Sequence, residues 1–127
     1  GWWIVDEPEI HFSRNVVVPD LGGWRRERLP EFSLESHFVL TPDFVCGIVS
    51  PSTGRLDRSR KLPLYAREGV AFVWLVDPSQ RTVEVLRLVE GHYQIVQVFS
   101  EDEVMRAPPF EGAELPLSRL WVPTRAI

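Results

Sequence analysis

The sequence predicts a single α/β (α+β) domain, with a mixed central sheet, one helical crossover and flanking antiparallel hairpins. Three observations predict it. Residues 42–78, PDFVCGIVSPSTGRLDRSRKLPLYAREGVAFVWLVDP, pass without interruption from an apolar run through a polar turn and a basic helical stretch into a second apolar run, which is the order of a β-α-β unit. On both sides of this unit, apolar residues alternate with polar ones and are punctuated by turn residues, the mark of hairpins. The chain's 127 residues, 44% of them apolar, suffice for one core, so residues 1–127 are expected to form one domain.

Trp2 to Phe12 mixes aromatic and branched residues with Asp6, Glu7 and Glu9 and reads as a strand entering a hairpin at Ser13-Arg14-Asn15. Its partner is expected over Val16 to Leu21. Pro19 lacks an amide donor and the Gly22-Gly23 pair loosens the backbone, so the ladder should end there, with Asp20 at the strand's end. Trp24 to Thr41, with Arg25, Arg26, Arg28 and Pro30, reads as an irregular connection closing in a short extended piece.

Phe44 to Val49 is a continuous apolar run between Pro42 and Ser50-Pro51-Ser52 and suits a central strand buried on both faces. From about Leu56 to Glu68, Leu62, Tyr65 and Ala66 recur at helical spacing while Arg58, Arg60, Lys61, Arg67 and Glu68 take the other face. Pro63 removes one backbone bond inside this helix and should kink it or shift its start. Gly69 ends the helix, and Ala71 to Val76 gives a strand parallel to the Phe44 strand through a right-handed crossover. After the turn Asp77-Pro78-Ser79-Gln80, Thr82 to Leu88 and Tyr93 to Phe99 form a hairpin about Glu90-Gly91, and Leu115 to Trp121 forms one packed helical turn.

Charge and composition narrow the function classes. A net charge of −4 argues against a protein that coats nucleic acid through bulk electrostatics, though not against a local basic patch. No run of about 18 apolar residues is present, and GWWIVDEPEI is unlike a signal peptide. The expected compartment is therefore cytoplasmic, with no membrane partner. The single cysteine, Cys46, lies in an apolar run and reads as a small buried hydrophobe.

The succession VVVPDL, SPST, Asp57-x-x-x-Lys61, YAREGV and WLVDP resembles the Uma-two family, described as putative restriction endonucleases, a branch of the PD-(D/E)xK nuclease superfamily. The resemblance covers nearly the whole chain. It implies a restriction-endonuclease-like core, DNA as substrate, and Mg²⁺ or Mn²⁺ held by carboxylates beside the scissile phosphate. By resemblance, Asp20 matches the metal-binding Asp and Lys61 the basic residue, while Gly47 stands where the family carries a Glu. Val49 occupies the x-Lys position of the wider superfamily, a departure usual for this family. Glu9 matches a recurrent acid in the hairpin, giving Asp20 and Glu9 as the metal set. Arg25, Arg26, Arg58 and Arg60 are the candidate DNA contacts. Family members usually carry an N-terminal helix before the first hairpin. The surface that helix covers would here be exposed, which makes a homodimer an expected partner state.

Gly47 has no side chain to ligate anything, so chemistry at this place is expected to be depressed or lost, leaving a domain that binds DNA or protein without cutting. Replacement acids are Asp57, Glu9 and Asp43, of which Asp43 lies about 13 Å away at strand rise. Each residue also has a plainer use. Asp20 can be a turn residue, Lys61 one more solvated charge, and Ser50 to Gly54 a helix cap rather than a phosphate cradle. Glu7, Glu9 and His11 would share one face of a strand, towards metal or water. The five tryptophans suit packing, with Trp24 beside Arg25 and Arg26 also suited to stacking on a base.

Overall fold

The computed structural model describes residues 1–31, 37–52 and 54–121. Its centre is a six-stranded sheet of β1 (Trp2–Asp6), β4 (Leu21–Arg25), β5 (Phe44–Ile48), β6 (Phe72–Asp77), β7 (Thr82–Val89) and β8 (His92–Ser100), in that spatial order. β5 and β6 are parallel and every other neighbouring pair is antiparallel, so the sheet is mixed as expected. A small hairpin, β2 (Ile10–His11) with β3 (Val16–Val17), leans on this sheet, and β9 (Val104–Met105) pairs with β10 (Leu115–Pro116). No helix among the described residues is long and apolar enough to cross a membrane.

The helical crossover runs as α1 (Gly54–Leu56), a π-helical segment (Asp57–Lys61) and α2 (Leu62–Glu68). Pro63 explains the widened turns before it. Its nitrogen has no hydrogen to donate and its ring crowds the carbonyl four residues back, and the wider winding relieves both without ending the helix. Gly69, with φ of 80°, then closes α2 through its amide to the carbonyls of Ala66 and Tyr65.

Two apolar layers flank the sheet. Under the helix lie Ile10, Phe12, Trp24, Val45, Val49, Tyr65, Val70, Val73, Leu75 and Leu86. On the opposite face, Val83, Val85, Phe99, Met105, Ala107, Leu117 and Trp121 pack beneath the C-terminal segment. The indole nitrogens of Trp74 and Trp121 donate to the carbonyls of Pro108 and Glu101, at 2.8 and 2.7 Å, and tie that segment down.

The first hairpin differs from its sequence reading. Glu7, with φ of 47°, breaks the strand after Asp6, so Glu7, Glu9 and His11 do not share one continuous strand. The ladder also runs through Gly22 and Gly23 instead of ending there, with Val5 opposite Gly22 and Ile4 opposite Gly23. Close packing is the reason. A Cβ on Gly22 would stand 2.8 Å from Pro8 Cγ and 3.1 Å from the Trp24 ring, and one on Gly23 would stand 3.1 Å from both Ile4 and Phe44. These glycines let a fully buried Trp24 and its neighbours reach the backbone.

Candidate active site

The pairing of β4 with β5 brings the first two site residues together. Leu21 stands opposite Cys46, and continuing that antiparallel register sets Asp20 opposite Gly47. Asp20 Oδ2 accepts a 2.7 Å hydrogen bond from the backbone N–H of Ile48, and the Asp20 carbonyl accepts one from Glu7 at 2.9 Å. The carboxylate is therefore fixed at the C-terminal end of β5, where Ile48 turns out to solvent and the strand ceases to be buried.

The helix supplies the third residue. Lys61 closes the π segment, and Lys61, Leu62 and Tyr65 line a small cavity whose other wall includes Asp20, Gly47, Ile48 and Leu75. Its volume is about 40 Å³, room for about three or four waters on the scale of about 10–15 Å³ each. Asp20, Gly47 and Lys61, far apart in sequence, thus meet at one place. At Gly47 the neighbourhood is open, because a Cβ there would meet, among the described residues, only Leu75 Cδ2, at 3.8 Å.

The donor set that the described residues supply does not fit a divalent cation. Among the described residues Asp20 is the only carboxylate that lines the cavity, and no group of three His, Cys, Asp or Glu suited to a metal occurs among them. Mg²⁺ needs several oxygen ligands around it. Glu9 does not line the cavity. Its carboxylate lies 3.0 Å from His11 Nε2, and the His11 ring packs against His37 at 4.5 Å between centroids. Asp43 is engaged elsewhere, taking the backbone N–H of Arg25 at 2.9 Å and the Arg28 guanidinium at 2.8 Å. The side chain of Asp57, the remaining replacement acid, lies outside the described residues, as does Thr53 of the suggested cap or cradle.

The arginines divide between packing and surface. Arg58 forms a two-pronged pair with Glu84, with Nη1 3.0 Å from Oε1, and this bonding holds its pKa above the usual guanidinium value. Gly47 pairs with Leu75 and Leu75 with Glu84, so Glu84 shares the sheet row that leads to the site, and its bond to Arg58 clamps the π segment over that row. Arg60 is exposed on the same segment. Arg25 and Arg26 lie over the rings of Trp2 and Trp3, at 4.5 and 4.1 Å. Arg25 ends β4, five residues from Asp20 and about 17 Å away at strand rise. Trp24 is buried against Phe38 and donates to the Leu40 carbonyl, leaving no face for a base.

Two participants escape the sequence reading. Tyr65 stands four residues after Lys61, so helical spacing signals that they share a face. The Ile48 amide carries no side-chain signal at all. Cys46 is buried, as expected, and burial, followed by the nearby Asp20 charge, pushes its thiol up to about 12.

Across residues 1–118 the chain matches the family model Uma2, described as putative restriction endonuclease. No curated protein matches it. Among solved structures it is similar to one titled a putative nuclease belonging to DUF820, from Anabaena variabilis ATCC 29413. The TM-score is 0.74 and the identity 24%, over 94% of this chain and 67% of that one. At that identity the likeness shows the fold.

Proposed function

The chain belongs to the Uma2 family of putative restriction endonucleases, and on that footing we propose that it is a DNA endonuclease of the metal-dependent PD-(D/E)xK type whose output is depressed at Gly47. The observation that carries this reading is the meeting of Asp20, Gly47 and Lys61 at one cavity, reached from two strands and a helix. Two of the three keep groups that phosphodiester hydrolysis can use. The Asp20 carboxylate is held by the Ile48 amide and needs no reorganisation, and Lys61 lines the same cavity, where its ammonium would counter charge developing on a phosphate oxygen.

Mg²⁺ or Mn²⁺ is the cofactor that family membership suggests, with Asp20 as its one carboxylate ligand in the cavity wall among the described residues. Because this set falls short of a cation's needs, no hydrolytic step is assigned to a bound metal. Arg60, Arg25 and Arg26 remain the proposed contacts to DNA phosphates, while Arg58 serves first to hold the π segment. The same glycine favours a second reading, in which the domain binds DNA or protein without cutting.

Nicking of supercoiled plasmid in Mg²⁺ or Mn²⁺ separates the two. The Gly47→Glu variant should cut at least about a hundredfold faster than the unaltered chain, the scale on which one preorganised group raises turnover, and Asp20→Ala should abolish that gain. DNA binding without nicking by either form would select the second reading.

A further inference from the structure

The two edges of the sheet are built differently. At the β1 edge, the guanidinium groups of Arg25 and Arg26 lie over Trp2 and Trp3, and the strand stops at Asp6 and Glu7. The β8 edge, HYQIVQVFS, is nine residues long and carries no Asp, Glu, Lys, Arg, Pro or Gly, in a chain that is 25% charged. Natural edge strands are normally blunted by such residues or by a bulge, because their unpaired amides and carbonyls offer a template to another strand, and β8 has a bulge but none of the residues. Here Ile95, Val96 and Val98 are 61, 44 and 48% exposed on that edge.

The irregularity within β8 sets which partner fits. Leu86 pairs with Ile95 and Val85 with Gln97, which leaves Val96 as the extra residue of a bulge. After the bulge, Val98 pairs with Glu84, so Ile95 and Val98 lie on the same face of the sheet despite their odd spacing. An antiparallel twofold alignment of two β8 strands can then place Ile95 of each copy opposite Val98 of the other, with Gln94 facing Phe99 on the second face. No like charges meet anywhere along this register, and the exposed Ile95 and Val98 find each other twice, once on each side of the axis. An isologous contact requires such self-complementarity of a single strand.

We propose that β8 is the interface for a second copy of this chain, joining two six-stranded sheets edge to edge about a twofold axis near Val96 and Gln97. The proposal does not depend on catalysis, since it is read from mass and cross-linking alone. Sedimentation of the unaltered chain should show a concentration-dependent species of twice 14.6 kDa, and Val98→Lys or Ile95→Lys should weaken it at least about tenfold with the folded circular dichroism spectrum retained. Register is tested by oxidising a mixture of Ile95→Cys and Val98→Cys chains, which should give a mixed disulfide dimer in clear excess over either chain oxidised alone. A chain that stays monomeric to about 1 mM, a dimer indifferent to both lysines, or cross-linking dominated by Ile95→Cys with itself would overturn the proposal.

Discussion

Asp20 Oδ2 accepts a 2.7 Å hydrogen bond from the backbone N–H of Ile48, the residue after Gly47, so a carboxylate just before β4 is anchored across the end of β5 beside a position that has no side chain. The bond gives Asp20 a structural role as well as a place in the proposed chemistry. Asp20→Ala should lower stability by about 1–2 kcal/mol, whereas Asp20→Asn, which keeps an acceptor oxygen, should lose less than half of that while being equally unable to support cleavage. Urea unfolding of the two variants beside plasmid nicking checks this.

Glycines 22 and 47 should behave oppositely. A Cβ at Gly22 collides with Pro8 and Trp24, and Gly22→Ala is expected to cost about 1–3 kcal/mol and lower Tm by about 5 °C or more. At Gly47, among the described residues, only Leu75 Cδ2 is near, at 3.8 Å, so Gly47→Glu should fold with a Tm within about 3 °C of the unaltered chain. Thermal melts of both variants decide it.

The contrast between these two glycines shows what the sequence could and could not reveal. The parallel β5-β6 pair, the crossover, its end at Gly69 and the Glu90-Gly91 hairpin were legible, because period, turn residues and capping are local signals. Gly22 and Gly23 looked like a strand's end since their reason for being glycine, the nearness of Pro8, Trp24, Ile4 and Phe44, is tertiary. The same holds for the site. Asp20, Gly47 and Lys61 were named from family resemblance, whereas the Ile48 amide and the Arg58–Glu84 clamp arise from register between strands and helix and have no local pattern. Arg58 looked like a DNA contact because nothing in the chain's linear order places Glu84 beneath it.

That clamp is measurable. Arg58 is about half exposed, 48% at its side chain, so the coupling should be modest, about 0.5–1 kcal/mol in a double-mutant cycle of Arg58→Ala and Glu84→Gln. In the Gly47→Glu background, loss of either partner should lower kcat more than it raises KM, because the pair holds the segment bearing Lys61. An equal change in both constants would point to Arg58 touching DNA directly.

Cys46 should be chemically silent in the folded chain. Its thiol is raised from 9.0 to about 12, so at pH 8 the thiolate fraction falls about a thousandfold, tenfold for each unit, and alkylation by iodoacetamide should slow by at least that factor relative to the urea-unfolded chain. The sign of the linkage follows. The unfolded thiol ionises from about pH 9 while the folded one stays protonated, so this group's contribution to stability is complete below pH 9 and is lost as pH rises towards 12. Denaturant midpoints between pH 8 and 10.5 read that decline.

The open place at Gly47 is where one acid beside Asp20 would complete a cation site. Calorimetric titration of Mn²⁺ into the unaltered chain, Gly47→Glu, and Gly47→Glu with Asp20→Ala tests it without requiring turnover. Gly47→Glu should bind Mn²⁺ at least about tenfold more tightly than the unaltered chain, and removing Asp20 should cancel the gain, since affinity follows the number of charged ligands converging on the ion. Equal affinity in all three, in variants shown to be folded, would contradict it.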